Sequence, residues 1–137
     1  MARWVRDSML ARSHRPGYEC GHGEPVPLGI VEEWLGDIRE LGIQSILCLL
    51  ADEHLDLYDA VPGGLIAYYR TQGFEVAHVP VVDYQEPVMT GDELAAAWSA
   101  YQSLPKPVLV HCSAGVSRTG ATIRFIETQI NQQRVSQ

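Results

Sequence analysis

The chain has 137 residues, 46% of them hydrophobic and 20% charged, an ordinary globular composition at a length that suits one domain and makes two unlikely on size grounds. Ten basic residues against 17 acidic ones give a net charge of −7, and nine of the ten are arginines, Lys106 being the one lysine. Such a field repels nucleic acid and anionic membrane, so an anionic substrate has to be captured by local geometry.

A chain of this size buries roughly 65–70% of its unfolded surface, enough for a core without disulfides or a structural metal. Cys20, Cys48 and Cys112 are too few for a disulfide framework. The opening Met1-Ala2-Arg3-Trp4-Val5-Arg6 has no export pattern, and no window approaches the ~20 apolar residues of a membrane span. The expected setting is reducing and cytoplasmic, without membrane insertion.

From Leu28 to Leu41, Ile30, Val31, Trp34, Leu35, Ile38 and Leu41 recur at three- and four-residue steps, and Gly42 follows where a C-cap glycine belongs; the pattern predicts a helix. Ile43 to Leu50 is short, apolar and branched, as a strand buried on both faces would be. Pro62-Gly63-Gly64 divides Asp52 to Gly73 into two helical pieces. Phe74 to Val82 reads as a strand ending near Pro80. Thr90 and Glu93 form a capping-box pattern before Leu94-Ala95-Ala96-Ala97-Trp98, predicting a helix to about Leu104. Pro107 to His111 is the last clear strand, and Thr119 to Gln132 reads as helix. The alternation predicts a single α/β domain over residues 1–137, a mostly parallel central sheet flanked by helices, with a phosphate-binding loop at a strand-to-helix junction. Ligand crevices in such sheets lie beyond the carboxyl ends of strands, here Val82 into Asp83 and Val110 into His111.

The second of these ends carries His111-Cys112-Ser113-Ala114-Gly115-Val116-Ser117-Arg118-Thr119-Gly120. A loop entering a helix N-terminus aims unpaired N–H groups and the positive end of the dipole at one spot, where an anion binds. Ser113, Ala114 and Gly115 are small enough for a tight curl, and Gly115 can take φ > 0 and turn its neighbours' amides inward. Arg118 adds a planar fork for two phosphate oxygens. Cys112, six positions earlier, is expected at the bottom of the same cup, where surroundings of this kind lower a thiol pKa to about 3.5–7.5. The plain alternative is a buried structural cysteine beside a helix-capping arginine.

This run resembles, residue for residue, the Cys-x5-Arg-[Ser/Thr] signature of the cysteine-dependent protein tyrosine phosphatase superfamily, with His before the Cys and Gly after the Thr. Val79-Pro80-Val81-Val82-Asp83-Tyr84-Gln85-Glu86-Pro87 resembles the acid loop of the compact, dual-specificity-like branch, and Asp83 lies 29 positions before Cys112. Short length and the early Trp4-Val5 segment point to that branch or to its small prokaryotic relatives, over Trp4 to about Ile130. The resemblance implies a phosphomonoester phosphatase acting on phosphotyrosine, and on phosphoserine or phosphothreonine, through a phosphocysteine intermediate. By that analogy Cys112 attacks phosphorus, and Arg118 with the backbone of Ser113, Ala114, Gly115, Val116 and Ser117 holds the equatorial oxygens. Asp83 protonates the leaving oxygen and then activates water, Thr119 steadies the thiolate, and His111 orients the loop. No metal or other cofactor is implied. Asp83 can also be read as a solvated loop carboxylate, with Glu86 the rival acid; Asp92 reads as helix N-terminal charge, and His111 as a core histidine.

Cys48, within a predicted strand, is read as core filler or as a candidate redox partner of Cys112, since some relatives pair a cysteine on that strand with the nucleophile. Cys20 and His22 stand two apart, but two ligands without a second pair do not make a zinc site. Only 25 residues follow Cys112, leaving a stripe of Ile123, Ile126 and Ile130 that a longer chain, other elements or a second subunit must cover. The expected partner is a phosphorylated protein or a small phosphate ester; oligomeric state is left open. Alternatives are RNA 5′-phosphates or a phosphometabolite as substrate, a non-catalytic phosphate-binding module, which the joint presence of Cys112, Arg118 and Asp83 disfavours, and a sulfur transferase, which lacks this signature.

Overall fold

A computed structural model describes residues 2–136; Met1 and Gln137, the ends of the expected domain, lie outside the described residues. Four parallel strands form the sheet, joined at one edge by an antiparallel one. The strands are β1 (Arg3–Arg6), β2 (Leu10–Ser13), β3 (Ser45–Cys48), β4 (Glu75–His78) and β5 (Val108–His111), in the spatial order β1-β2-β5-β3-β4. The β1–β2 pair is the antiparallel one, with a register shift between Trp4 and Arg6. The helices are α1 (Leu28–Glu40), α2 (Asp52–Leu55), α3 (Leu65–Thr71), α4 (Gly91–Ser103) and α5 (Ser117–Ser136).

The alternation of side chains along each strand divides the interior into two layers. Ala11, Ile46, Cys48 and Leu109 pack with Val31, Trp34, Leu35 and Ile38 of α1 and Leu65, Tyr68 and Tyr69 of α3. Leu10, Leu47, Val108 and Val110 pack with Ala97 and Tyr101 of α4 and Ile123 and Ile126 of α5. β3 and β5 are buried at every position, which is why residues 46–48 and 108–110 are apolar on both faces rather than alternating.

Register sets the site. Ser13 pairs with His111, His111 with Cys48, and Cys48 with His78. The four parallel strands therefore end in one row, and the four chain segments leaving them share one surface.

Several expectations hold with shorter bounds. Gly42 follows α1 with φ +82°. Thr90 Oγ1 accepts from the Glu93 amide at 3.1 Å, and Glu93 Oε1 from the Thr90 amide at 2.9 Å, completing the capping box of α4. The helical break falls between α2, with its 3₁₀ continuation to Tyr58, and α3.

Two features differ from the sequence reading. The β1–β2 hairpin was not predicted: Leu10-Ala11-Arg12-Ser13 has two apolar residues followed by polar ones, and its pairing with β1 and β5 makes it a strand. α5 starts at Ser117 rather than Thr119, so Ser117 and Arg118 belong to its first turn. The isoleucine stripe is covered from within, since Ile123 and Ile126 are 3% and 0% exposed beneath α4 and Ile130 packs on the same cluster.

Candidate active site

The signature loop runs from the end of β5 into α5 and is tied down from behind. Gly115 has φ +77°, and a Cβ there would stand 2.5 Å from the Ser13 carbonyl oxygen, so only glycine fits. The Arg12 guanidinium donates to the Gly115 carbonyl at 2.8 Å and more weakly to that of Val116 at 3.4 Å. The Arg15 amide donates to the Ser113 carbonyl at 2.8 Å, and Arg15 Nε to Ser113 Oγ at 3.2 Å. With these carbonyls engaged on the β2 side, the N–H edges of the same peptide planes face the opposite way, toward the pocket.

Arg15 is fully buried. The rest of its guanidinium donates to Tyr58 Oη at 3.2 Å and to the carbonyls of His22 at 3.1 Å and Gly21 at 3.4 Å. Tyr58 in turn donates to the Pro16 carbonyl at 2.7 Å. Among the described residues no carboxylate lies within ion-pair distance of Arg15. Its charge is therefore left to act on whatever occupies the loop, which is how a chain of net charge −7 presents a locally positive cup.

His111, also fully buried, places Nδ1 3.0 Å from the Cys112 carbonyl and Nε2 3.0 Å from Tyr69 Oη. A carbonyl only accepts, so Nδ1 carries the proton and Nε2 accepts from the tyrosine. Burial, only partly opposed by the bond to Cys112, pushes its pKa down to about 4, so the ring is neutral at pH 7. The Trp34 ring meets it edge-on at 5.4 Å, and Trp34 Nε1 donates to Ser13 Oγ and the His14 carbonyl. The position thus combines the two sequence readings: it is a satisfied core histidine, and it anchors the peptide of Cys112.

A pocket of about 290 Å³ opens over the row of strand ends. The loop after β5 and the first turn of α5 supply Cys112, Ser113, Ala114, Ser117 and Arg118; the segment after β2 supplies Tyr18 and His22; α2, after β3, supplies His54; the loop after β4 supplies Asp83 and Tyr84. Cys112 is 2% exposed, a recessed thiol at the pocket base, as the sequence reading places it. Arg118, also 2% exposed, donates to the Val81 carbonyl at 2.8 Å and lies 3.4 Å from Asp83 Oδ2. Asp83 Oδ1 accepts from the Tyr84 amide at 3.0 Å. Tyr84 has φ +59° and is 96% exposed, an uncommon conformation for a bulky side chain.

Other sequence candidates fall outside this pocket. Gly115 serves the loop's packing, Val116 is 65% exposed, and Thr119 is buried with Oγ1 making no hydrogen bond. Glu86 is exposed and does not line the pocket, while Asp92 sits in the first turn of α4. Cys48 is the strand partner of His111, one residue from Cys112, but the two thiols join different layers. Burial pushes the Cys48 pKa up to about 12. All three cysteines are free, Cys20 exposed, and among the described residues no group of three or more His, Cys, Asp or Glu is placed to hold a metal. Nor is any described helix long and apolar enough to cross a membrane.

Sequence reasoning missed Arg12, Arg15, Tyr18 and His54, and weighed His22 only as a metal ligand beside Cys20. The only available signal was the density of arginines and histidines in Arg12-Ser13-His14-Arg15, in a chain otherwise poor in basic residues.

Solved structures with this architecture include a mutant form of Tk-PTP, 19% identical with TM-score 0.62, where the match covers 93% of this chain and 71% of the other. A DUF442 phosphatase from Shewanella putrefaciens CN-32 gives 20% identity and TM-score 0.64 over 90% and 68%. The core catalytic domain of the PP-IP phosphatase SIW14 from S. cerevisiae gives 20% and 0.56 over 93% and 66%. No curated protein matches the sequence. Residues 20–129 match the family Tc-R-P, described as polymorphic toxin system, DSP-PTPase phosphatase. That span holds the signature loop, the Asp83 loop and His54, and the chain belongs to this family of phosphatases within the cysteine-based protein tyrosine phosphatase superfamily.

Proposed function

We propose that the protein hydrolyses phosphomonoesters through a phosphocysteine intermediate, with phosphotyrosine, and phosphoserine or phosphothreonine, in protein substrates. The reading rests on one observation: Cys112, Arg118 and Asp83 line a single pocket, with the guanidinium 3.4 Å from the carboxylate. The Cys112 thiolate attacks phosphorus as the bond to the ester oxygen breaks, and Asp83 gives its proton to that oxygen. Arg118 and the inward amides of residues 113–118 hold the three equatorial oxygens while charge builds on them. Asp83, now a carboxylate, takes a proton from water, whose oxygen attacks phosphorus. The S–P bond breaks, and phosphate and thiolate are regenerated. Thr119, whose buried hydroxyl has no other partner, donates to the departing sulfur. His111 keeps the Cys112 peptide in place.

A small phosphate ester is the second reading, supported by the likeness to a phosphatase named for PP-IP and by a pocket whose floor is charged. Three free thiols support action in a reducing compartment such as the cytoplasm. Turnover of a panel of phosphopeptides, nucleotides, RNA 5′-phosphates and inositol phosphates tests the substrate class. Cys112→Ser should abolish turnover of an aryl phosphate and retain oxyanion binding, because a hydroxyl keeps the cup but is a far weaker nucleophile. Activity above background in that variant would remove Cys112 from its role.

A further inference from the structure

His54 is the one pocket-lining side chain contributed by the segment that follows β3, and the mechanism above gives it nothing to do. Its Nδ1 is cut off from solvent and has no hydrogen-bond partner, although the ring as a whole is only half-buried. A buried polar atom left without a partner is costly, and an orphaned N–H is rarer than an orphaned acceptor. The neutral ring therefore keeps its proton on Nε2 and leaves Nδ1 as the unpartnered acceptor, on a side chain that lines the pocket. Arg118 and Arg15 are the cations that act on this ring, and Asp83 and Glu53 the carboxylates. Burial and the two arginines hold its pKa below the usual histidine value, consistent with a neutral donor.

We propose that His54 is a further substrate-binding residue, whose Nε2–H donates to an oxygen of the phosphoryl group held by Arg118 and the signature loop. It adds a donor from the segment after β3 to those of Arg118 and the loop amides after β5, while Arg15, its own donors engaged behind the loop, contributes only its charge. This assignment rests on the phosphatase reading for the identity of the anion, but its test does not need turnover.

The experiment is tungstate binding to the full chain by calorimetry, with the imidazole resonances followed by NMR, in wild type and in His54→Gln, His54→Asn and His54→Phe. A glutamine amide nitrogen reaches the place of histidine Nε2, whereas an asparagine amide nitrogen reaches that of Nδ1. Wild type and His54→Gln should bind within about threefold of each other, and the Asn and Phe variants roughly tenfold or more weaker, the usual effect of losing a hydrogen bond to an anion. The His54 resonances should shift with tungstate occupancy in wild type. Equal binding in all four proteins, or rescue by Asn in place of Gln, overturns the assignment. So does a fall in thermal stability in the Phe variant with tungstate affinity unchanged, since that is the mark of a purely structural histidine. If tungstate binds as described while every ester in the panel is inert, the proposed function fails and the His54 assignment stands.

Discussion

The two walls of the pocket are built by opposite rules. Behind the signature loop, the carbonyls and the ring nitrogen have protein partners from distant segments: Arg12 on Gly115, Arg15 on Ser113, and Tyr69 on His111. In front, the loop carrying Asp83 has Val82 59% and Tyr84 96% exposed, and the Asp83 carboxylate meets only the adjacent Tyr84 amide and Arg118. Satisfied buried networks rigidify, whereas exposed segments with few apolar contacts sit at the low-stability end of a fold. The lesson is a division of labour: the geometry of the loop is fixed before an anion arrives, and the segment carrying the Asp83 carboxylate is free to move over it.

The front wall gives the largest expected effect. Asp83→Asn should lower kcat on alkyl or peptide phosphates by roughly 10²–10⁴-fold, remove the alkaline limb of the pH profile, and matter less for acidic leaving groups. Folding stability should be nearly unchanged. An alkaline limb that survives would move the proton-donor role to Glu86.

The rear wall should fail in the opposite sense. Gly115→Ala combines φ +77° with a contact 2.5 Å from the Ser13 carbonyl, so denaturant unfolding should show a loss of roughly 3–4 kcal/mol, with oxyanion binding weakened as well. Native stability with normal binding would show that the loop adapts and that its packing on β2 is dispensable.

A milder probe of the same wall is pH. Burial holds the His111 pKa down at about 4 in the folded protein, against 6.5 for a free histidine. Its folded pKa is depressed, so the unfolded chain binds the extra proton first. Stability is full above about pH 6.5 and lost as pH falls toward 4, by about 3 kcal/mol at most from this group. Tyr69→Phe should lower stability by about 1–3 kcal/mol at neutral pH, the cost of a stranded buried acceptor. Chemical denaturation between pH 4 and 7 checks both.

The smallest effect tests whether the rear wall ever yields. Peroxide should convert the Cys112 thiol to a sulfenic acid with release of water, and the Cys48 thiol should then displace its oxygen to form a disulfide. Because Cys48 faces the other layer and its pKa is raised to about 12, bridging should be slow and should require residues after His111 to shift. Dithiothreitol should restore activity. Mass spectrometry showing a Cys20–Cys112 link, or equal recovery in Cys48→Ser, would return Cys48 to the role of core filler.

The difference between the walls also explains what could be read from sequence. Cys112 to Gly120 is legible because one short loop must hold nucleophile, glycine and arginine at fixed spacing, and Asp83 because it follows a recognisable strand end. The helices at Leu28 and Gly91 announce themselves by apolar periodicity and by the Thr90–Glu93 cap. β2 is opaque: its four residues carry no alternation of their own and are placed in the sheet by pairing with β5, so Arg12, Arg15 and Tyr18 are hidden with it, and His22 as a residue of the pocket. His54 is hidden for the same reason, since nothing in Asp52-Glu53-His54-Leu55 reveals that β3 ends beside His111.

Arg12 and Gly115 are 103 positions apart, and Arg15 and Ser113 98. Closing a loop of that length costs about 4 kcal/mol of chain entropy, which is repaid only when β2 has settled beside β5. Any partly folded form in which this pairing has not occurred lacks the carbonyl restraints that turn the loop amides inward. The cup is thus a long-range property of the chain: anion binding should appear together with the last native hydrogen-exchange protection, and never in a fragment that holds the signature segment alone.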